Sequence, residues 1–253
     1  MDNFKNDTNY LDQHFLIDED VIKTFIDSCD LNKNDKVLEI GAGKGTLSKI
    51  INSKVKSLTI IEKDERLKKY LSEYNVIYND VLKEDLNGYN KIITSLPYSI
   101  TEPFIYKLID VSFDKLIMIC GKTFADNTIF KNDSKLSILT NLYFNVEKII
   151  DINPDSFEPK PRVLSSLIVL TKKDINDLSK EDKIIRMLYK YRYLKVKNAL
   201  KEILIKLDNI TQKEARTIID SYNIDENILN KLFDELSNNE VKVLKNKIKP
   251  SKI

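Results

Sequence analysis

The chain has 253 residues, of which 42% are hydrophobic and 32% charged, with a net charge of +2; this is the balance of a globular protein with its own core. No run approaches the roughly 20 apolar residues of a membrane-spanning helix. Residues 1–10 carry neither a secretory signal nor an Arg-rich transit pattern, so a cytoplasmic protein with no membrane association is expected. Cys29 and Cys120 sit in apolar company without a CxxC or a Cys/His cluster, which argues for buried thiols and against a disulfide framework or a metal site.

Asp18, followed by Glu19 and Asp20, is a natural N-cap for an amphipathic helix over 21–29. Strand patterns at 36–40, 57–61, 76–78, 91–94 and 113–120 alternate with helical spacing at 46–51, 64–74 and 101–111. Strands of about five residues separated by helices of about ten predict a mostly parallel sheet covered on both faces. A helix over 136–144 and strands at 146–152 and 164–170 follow, the strands joined by a segment that holds three of the six prolines. These two strands predict an antiparallel hairpin at the sheet edge. After residue 171 strand signals stop and 179–249 reads as helical. The expected division is an α/β domain over 1–171 and a small all-α domain over 172–253.

Three of the five glycines fall in Glu39-Ile-Gly-Ala-Gly-Lys-Gly45, between a strand and a helix. Glycine there lets backbone amides approach a ligand and lets the turn take positive φ. The spacing is G-x-G-x-G rather than the dinucleotide pattern, and Glu39 would repel a pyrophosphate but can pair with an ammonium. S-adenosylmethionine carries an ammonium and no phosphate. Glu62 ends the next strand about 20 residues on, where an acid takes ribose hydroxyls. Asp80 follows the third strand, in position to accept from an adenine amine. A tight turn and two helix caps would explain each feature singly; three of them at strand ends in this order favour a Rossmann-like S-adenosylmethionine site.

Ser95-Leu-Pro-Tyr98 follows the fourth strand. Adenine's exocyclic nitrogen is a poor nucleophile because its lone pair is delocalised into the ring. Accepting its hydrogens on a side-chain oxygen (Ser95) and a backbone carbonyl (Leu96) lets it pyramidalise toward a methyl donor. Pro97 stiffens the loop, and Tyr98 can stack on a base taken out of its helix. A proline turn with a packed tyrosine is the bland alternative.

Basic residues cluster in Lys183, Arg186, Lys190, Arg192, Lys195, Lys197, Lys201 and Lys206, against the single acid Glu202, and again in Lys242, Lys245, Lys247, Lys249 and Lys252. Such clusters suit a phosphate backbone as well as they suit a solvated helix face.

Together these motifs resemble the ribosomal RNA adenine N6,N6-dimethyltransferases, a family that comprises the small-subunit dimethyladenosine transferases and the Erm macrolide-resistance methylases. The resemblance runs from about Leu11 to Leu200. Asp12-Gln-His-Phe-Leu16 is similar to the family's Q-N/H-F-L element, Glu39 to Gly45 to its E-x-G-x-G-x-G loop, and Ser95 to Tyr98 to its N-L-P-Y site. Ser156-Phe-Glu-Pro-Lys-Pro-Arg-Val163 resembles its S-F-x-P-x-P-x-V loop, and Lys197-Asn-Ala-Leu200 the end of its R-R-K-x-x-x-N-A-L helix.

The resemblance implies that His14, Leu16, Gly41, Gly43, Glu62, Asp80 and Ser95 surround S-adenosylmethionine. It also implies that Phe157, Arg192, Lys195 and Lys197 contact RNA. His14, the single histidine, reads as a hydrogen-bonding cofactor contact, with a buried structural role as the alternative. Two departures stand out: Ser95 occupies the family's asparagine position, and its R-R-K segment is diluted to Tyr191-Arg-Tyr-Leu-Lys-Val-Lys197. The expected activity is dimethylation of adjacent adenines near the 3′ end of small-subunit rRNA, by a monomer acting on a small-subunit precursor. The open alternatives are an Erm-type large-subunit methylase and a catalytically weak ribosome-assembly factor. A small-molecule methyltransferase would keep the glycine loop without needing Ser-Leu-Pro-Tyr.

Overall fold

The computed structural model describes residues 13–248 except Asn132. Asp12 of the N-terminal element and Lys249 and Lys252 of the tail lie outside the described residues. The chain forms two compact units: Met1–Phe130 with Phe144–Lys172, and Lys131–Tyr143 with Lys173–Ile253.

In chain order the first unit holds β1 (Phe15–Leu16), α1 (Glu19–Cys29), β2 (Lys36–Ile40), α2 (Thr46–Lys54), β3 (Ser57–Glu62), α3 (Lys68–Leu71), β4 (Asn75–Tyr78) and β5 (Lys91–Ser95). It continues with α4 (Thr101–Ile109), β6 (Lys115–Gly121), α5 (Lys122–Phe124), β7 (Phe144–Ile152), β8 (Phe157–Glu158) and β9 (Ser165–Lys172). Seven strands make one sheet in the order β4-β3-β2-β5-β6-β9-β7. The first five are parallel, and β9 runs antiparallel to both β6 and β7. The edge hairpin read from the sequence therefore closes the sheet, with β9 against β6 and β7 outermost. Strand order reverses between β2 and β5, the switch point outside whose carboxyl ends open α/β sheets bind ligands.

Central strands are apolar almost throughout because both faces are covered. Val37, Ile60, Ile93 and Ile117 of the sheet pack with Phe25 and Cys29 of α1 and Ile51 of α2 in one buried cluster. Asp18 caps α1 by accepting from the amides of Asp20 (3.1 Å) and Val21 (3.2 Å), and its other oxygen accepts from the Ser156 hydroxyl at 2.8 Å. The helix expected over 64–74 is shorter: a 3-10 turn at Glu65–Leu67 leads into the single turn of α3. Asp64 accepts from both the amide (3.0 Å) and Nε (2.8 Å) of Arg66, a local bonding pattern that competes with α-helix.

The second unit holds α6 (Lys135–Tyr143), α7 (Lys180–Lys190), α8 (Val196–Asp208), α9 (Gln212–Ser221), α10 (Glu226–Leu229) and α11 (Asn238–Lys247). Tyr143 of α6 stands edge-on to Tyr189 of α7 (6.1 Å between centroids), and Tyr189 stands edge-on to Phe233 (5.9 Å). The Tyr143 hydroxyl donates to the Arg186 carbonyl at 2.9 Å. A single cut at residue 172 would leave α6 with the sheet; this aromatic stack and the Lys135 amide donating to Asn238 Oδ1 at 2.8 Å are what join it to the later helices. Thr211 with Glu214 and Ser237 with Glu240 form capping boxes that start α9 and α11. Among the described residues no helix is long and apolar enough to cross a membrane.

Candidate active site

A cleft of about 280 Å³ opens at the carboxyl ends of β2, β3 and β5. Its floor is the glycine loop after β2. Gly41 and Gly43 take φ of +73° and +60°, and a Cβ on Gly43 would lie 2.9 Å from the Phe15 ring. A side chain there would have to displace the Phe15 ring and take a left-handed φ that glycine adopts freely. Glu39, at the end of β2, is buried, and its Oε2 finds no hydrogen-bond partner among the described residues. Burial, and then repulsion from Glu62, push its carboxyl up to about 7.

Glu62 ends β3 and is buried as well; burial raises its pKa above the usual carboxylate range. Its two oxygens accept from the amides of Gly43 (3.1 Å) and Asp64 (2.9 Å). Asp80 follows β4, accepts from the Leu82 amide at 3.0 Å and pairs with Lys63 at 3.0 Å. These bonds, the amide first, hold its carboxyl below its ordinary pKa.

The N-terminal element and the proline-rich loop, far apart in sequence, fold onto each other. Phe15 and Leu16 pair with Glu158 and Phe157, the Ile17 amide donates to the Ser156 carbonyl at 2.9 Å, and His14 Nδ1 lies 2.7 Å from the Pro159 carbonyl. His14 and Leu16 both line the cleft. Phe157, expected on the RNA-facing side, is 2% exposed and belongs to the buried core while also bordering the cleft. Its ring is covered because it packs in the same buried cluster as Leu16.

Ser95 closes β5, and Leu96, Pro97 and Tyr98 continue along the cleft wall. Leu96 is buried, whereas Ser95, Pro97 and Tyr98 are half-buried. The Tyr98 and Ser165 hydroxyls share a hydrogen bond, and Gly121 lies beside the Tyr98 ring. The ring centroids of His14 and Tyr98 are 6.3 Å apart. The residues expected at the cofactor and at the methyl-accepting base are thus brought together around one opening.

In the second unit, Arg192, Lys195 and Lys197 are in three different situations. Arg192 lies 4.5 Å over the Tyr189 ring and donates to the Tyr189 carbonyl at 3.1 Å. Lys197 pairs with Glu226 at 3.2 Å, and Lys195 is exposed. Sequence reasoning did not find Lys63 or Ser165 as neighbours of the site. Lys63 had a local signal, adjacency to Glu62; Ser165 had none, since it lies 67 residues from Tyr98.

A buried acid with one oxygen left without a hydrogen-bond partner beneath a glycine loop, and a second acid at the end of the next strand, suit a ligand that brings both an ammonium and a ribose. Glu39 Oε2, the bare Gly41 and Gly43, and the size of the cleft therefore fit S-adenosylmethionine. The sheet order and this cleft define a Rossmann-like S-adenosylmethionine-dependent methyltransferase. Residues 3–245 match the family described as ribosomal RNA adenine dimethylase, and the chain belongs to that family: it is an S-adenosylmethionine-dependent rRNA adenine-N6,N6-dimethyltransferase.

A relative from Methanococcus maripaludis (strain C5), described as "Probable ribosomal RNA small subunit methyltransferase A", is 34% identical over 223 residues, 80% of this chain and 85% of the relative. Two solved structures share the fold. A dimethyladenosine transferase from Plasmodium falciparum gives a TM-score of 0.63 at 22% identity, covering 91% of this chain and 96% of that one. The 23S rRNA methyltransferase ErmE gives 0.61 at 17%, covering 92% and 98%.

Proposed function

We propose that the chain dimethylates adjacent adenines near the 3′ end of small-subunit rRNA, acting in the cytoplasm as a monomer on a precursor of that subunit. The observation that carries the choice of subunit is the relative from Methanococcus maripaludis, 34% identical and described as acting on the small subunit. In this reading residues 1–171 bind the cofactor and perform catalysis, and 172–253 bind RNA.

Residue roles follow from the cleft. Glu39 and the Gly41 and Gly43 backbone face the amino-acid end of the cofactor, Glu62 the ribose, and Asp80, steadied by Lys63, the adenine amine. His14 and Leu16 cover it from the N-terminal strap. When bound, S-adenosylmethionine supplies an electrophilic methyl group. Ser95 and the Leu96 carbonyl accept the hydrogens of the target amine, drawing its lone pair out of conjugation. Tyr98, its hydroxyl tied to Ser165, offers its face to the unstacked base, and Pro97 keeps the carbonyl and the ring in step.

Mass spectrometry of both rRNAs from cells with and without the gene tests this reading. Loss of dimethyladenosine from the 3′ region of the small-subunit rRNA is expected. Loss from the large-subunit rRNA instead assigns an Erm-type target, and no loss from either overturns the reading.

A further inference from the structure

The turn between α7 and α8 is firmly built yet leaves one aromatic ring in solvent. The Tyr191 amide donates to the Met187 carbonyl at 3.0 Å and the Leu194 amide to the Tyr191 carbonyl at 2.8 Å. The Val196 amide donates to the Lys231 carbonyl at 2.8 Å, and Lys195 forms a β-bridge with Leu232. Arg192 is folded back over Tyr189. Within this clamped turn Tyr193 is 69% exposed, more than any other large hydrophobic side chain among the described residues. Tyr191 lies beside it, with centroids 6.2 Å apart and planes inclined by 32°. Lys190 and Lys195 are exposed in the same segment, and Lys197, exposed as well, pairs with Glu226.

Counting back from Asn198, the three basic positions of the family's R-R-K-x-x-x-N-A-L pattern fall here on Arg192, Tyr193 and Leu194. Charge has been exchanged for an aromatic face. An exposed ring on a fixed turn loses little entropy when it stacks, and lysines of the same segment attract the phosphates that flank a base. We infer that Tyr193 is a stacking platform for an unpaired base of the RNA substrate, recognising single-stranded rather than duplex RNA next to the lysines. This rests on the RNA-binding reading above.

The test uses the full chain with a labelled uridine oligoribonucleotide, which lacks the target base, and an RNA duplex of equal length. Tyr193→Ala is expected to weaken binding to the oligomer about tenfold, leave the duplex unaffected and leave the slope of log affinity against log salt unchanged. Tyr193→Phe keeps parental affinity. Lys190→Gln with Lys195→Gln instead flattens the slope. The chain has no tryptophan, so Tyr193→Trp creates a unique reporter, and its emission should be quenched by the oligomer and not by the duplex. Parental affinity in Tyr193→Ala, an equal loss on both RNAs, or an unquenched Tyr193→Trp overturns the inference while rRNA methylation by the parent leaves the enzyme reading intact. A parent that neither binds the oligomer nor methylates rRNA overturns both.

Discussion

Glu62 Oε2 accepts a hydrogen bond from the Gly43 amide at 3.1 Å, so the acid that ends β3 also fixes the loop that follows β2. Its other oxygen is held by the Asp64 amide, and a glutamine at this position would turn an NH2 toward one of two donors. Charge-assisted bonds of this kind contribute on the order of 1.5–3 kcal/mol. Glu62→Gln and Glu62→Ala are therefore expected to lower S-adenosylmethionine affinity at least about tenfold by calorimetry, with Ala the worse of the two. Parental affinity in a folded Glu62→Ala protein would assign the ribose contact to another residue.

Glu39 gives a prediction of opposite sign for stability and for binding. Its folded pKa is raised by burial to about 7 from 4.5, so the fold favours the protonated acid. The stability this group contributes is fully present below pH 4.5 and is lost as pH rises through about 7. Glu39→Gln should match the parent near pH 4 and exceed it at pH 8 by on the order of 3 kcal/mol, measured as thermal denaturation without cofactor. The same variant should bind S-adenosylmethionine less tightly, since the buried charge that destabilises the free protein is what answers the ammonium. A stability difference independent of pH would show that folding leaves the Glu39 pKa at its unfolded value.

Periodicity made the sheet legible. Apolar runs marked β2, β3, β5 and β6, and Asp18 announced α1 as its cap. The glycine loop and the two acids were legible because each sits at the end of its own strand, a relation the chain order preserves. What the sequence concealed was pairing at long range. Nothing local in Phe15 and Leu16 says that Phe157 and Glu158 complete their sheet, and so Phe157 read as an RNA contact when its ring is enclosed. The same holds for α6, whose apolar face read as part of the sheet domain until Tyr189 and Asn238 supplied its partners.

Charge counting likewise treated Arg192, Lys195 and Lys197 as equivalents, whereas the structure commits the first to Tyr189 and the last to Glu226. Arg192→Glu should lose its cation–π contact and its carbonyl bond, lowering stability by on the order of 1 kcal/mol. Lys195→Glu should leave the melting temperature unchanged and reduce the salt slope of RNA binding by about one. If Arg192→Glu melts like the parent and carries the larger loss in salt slope, the guanidinium faces RNA rather than Tyr189.

Ser95 is where this chain departs from its family at the chemical centre. Ser95 is held in the sheet opposite Ile119 of β6, and Leu96 beyond it is buried; the backbone is fixed on both sides. A longer side chain at 95 must therefore project further into the cleft instead of drawing the loop back. Ser95→Ala removes one acceptor of the target amine. It should lower kcat more than RNA affinity, because that bond strengthens as the amine gains positive charge in the transition state. Tyr98→Ala should remove stacking worth roughly 1–3 kcal/mol and most turnover, with cofactor binding retained. Ser95→Asn restores the family residue in a cleft whose backbone is set for serine, and it should lower kcat by about tenfold, or ~1.4 kcal/mol of transition-state stabilisation, with S-adenosylmethionine affinity retained. Single-turnover methylation of rRNA by each variant checks all three. A rise in rate with Ser95→Asn would mean that serine weakens the natural enzyme. Parental rates in Ser95→Ala and Tyr98→Ala would move the chemistry away from the end of β5.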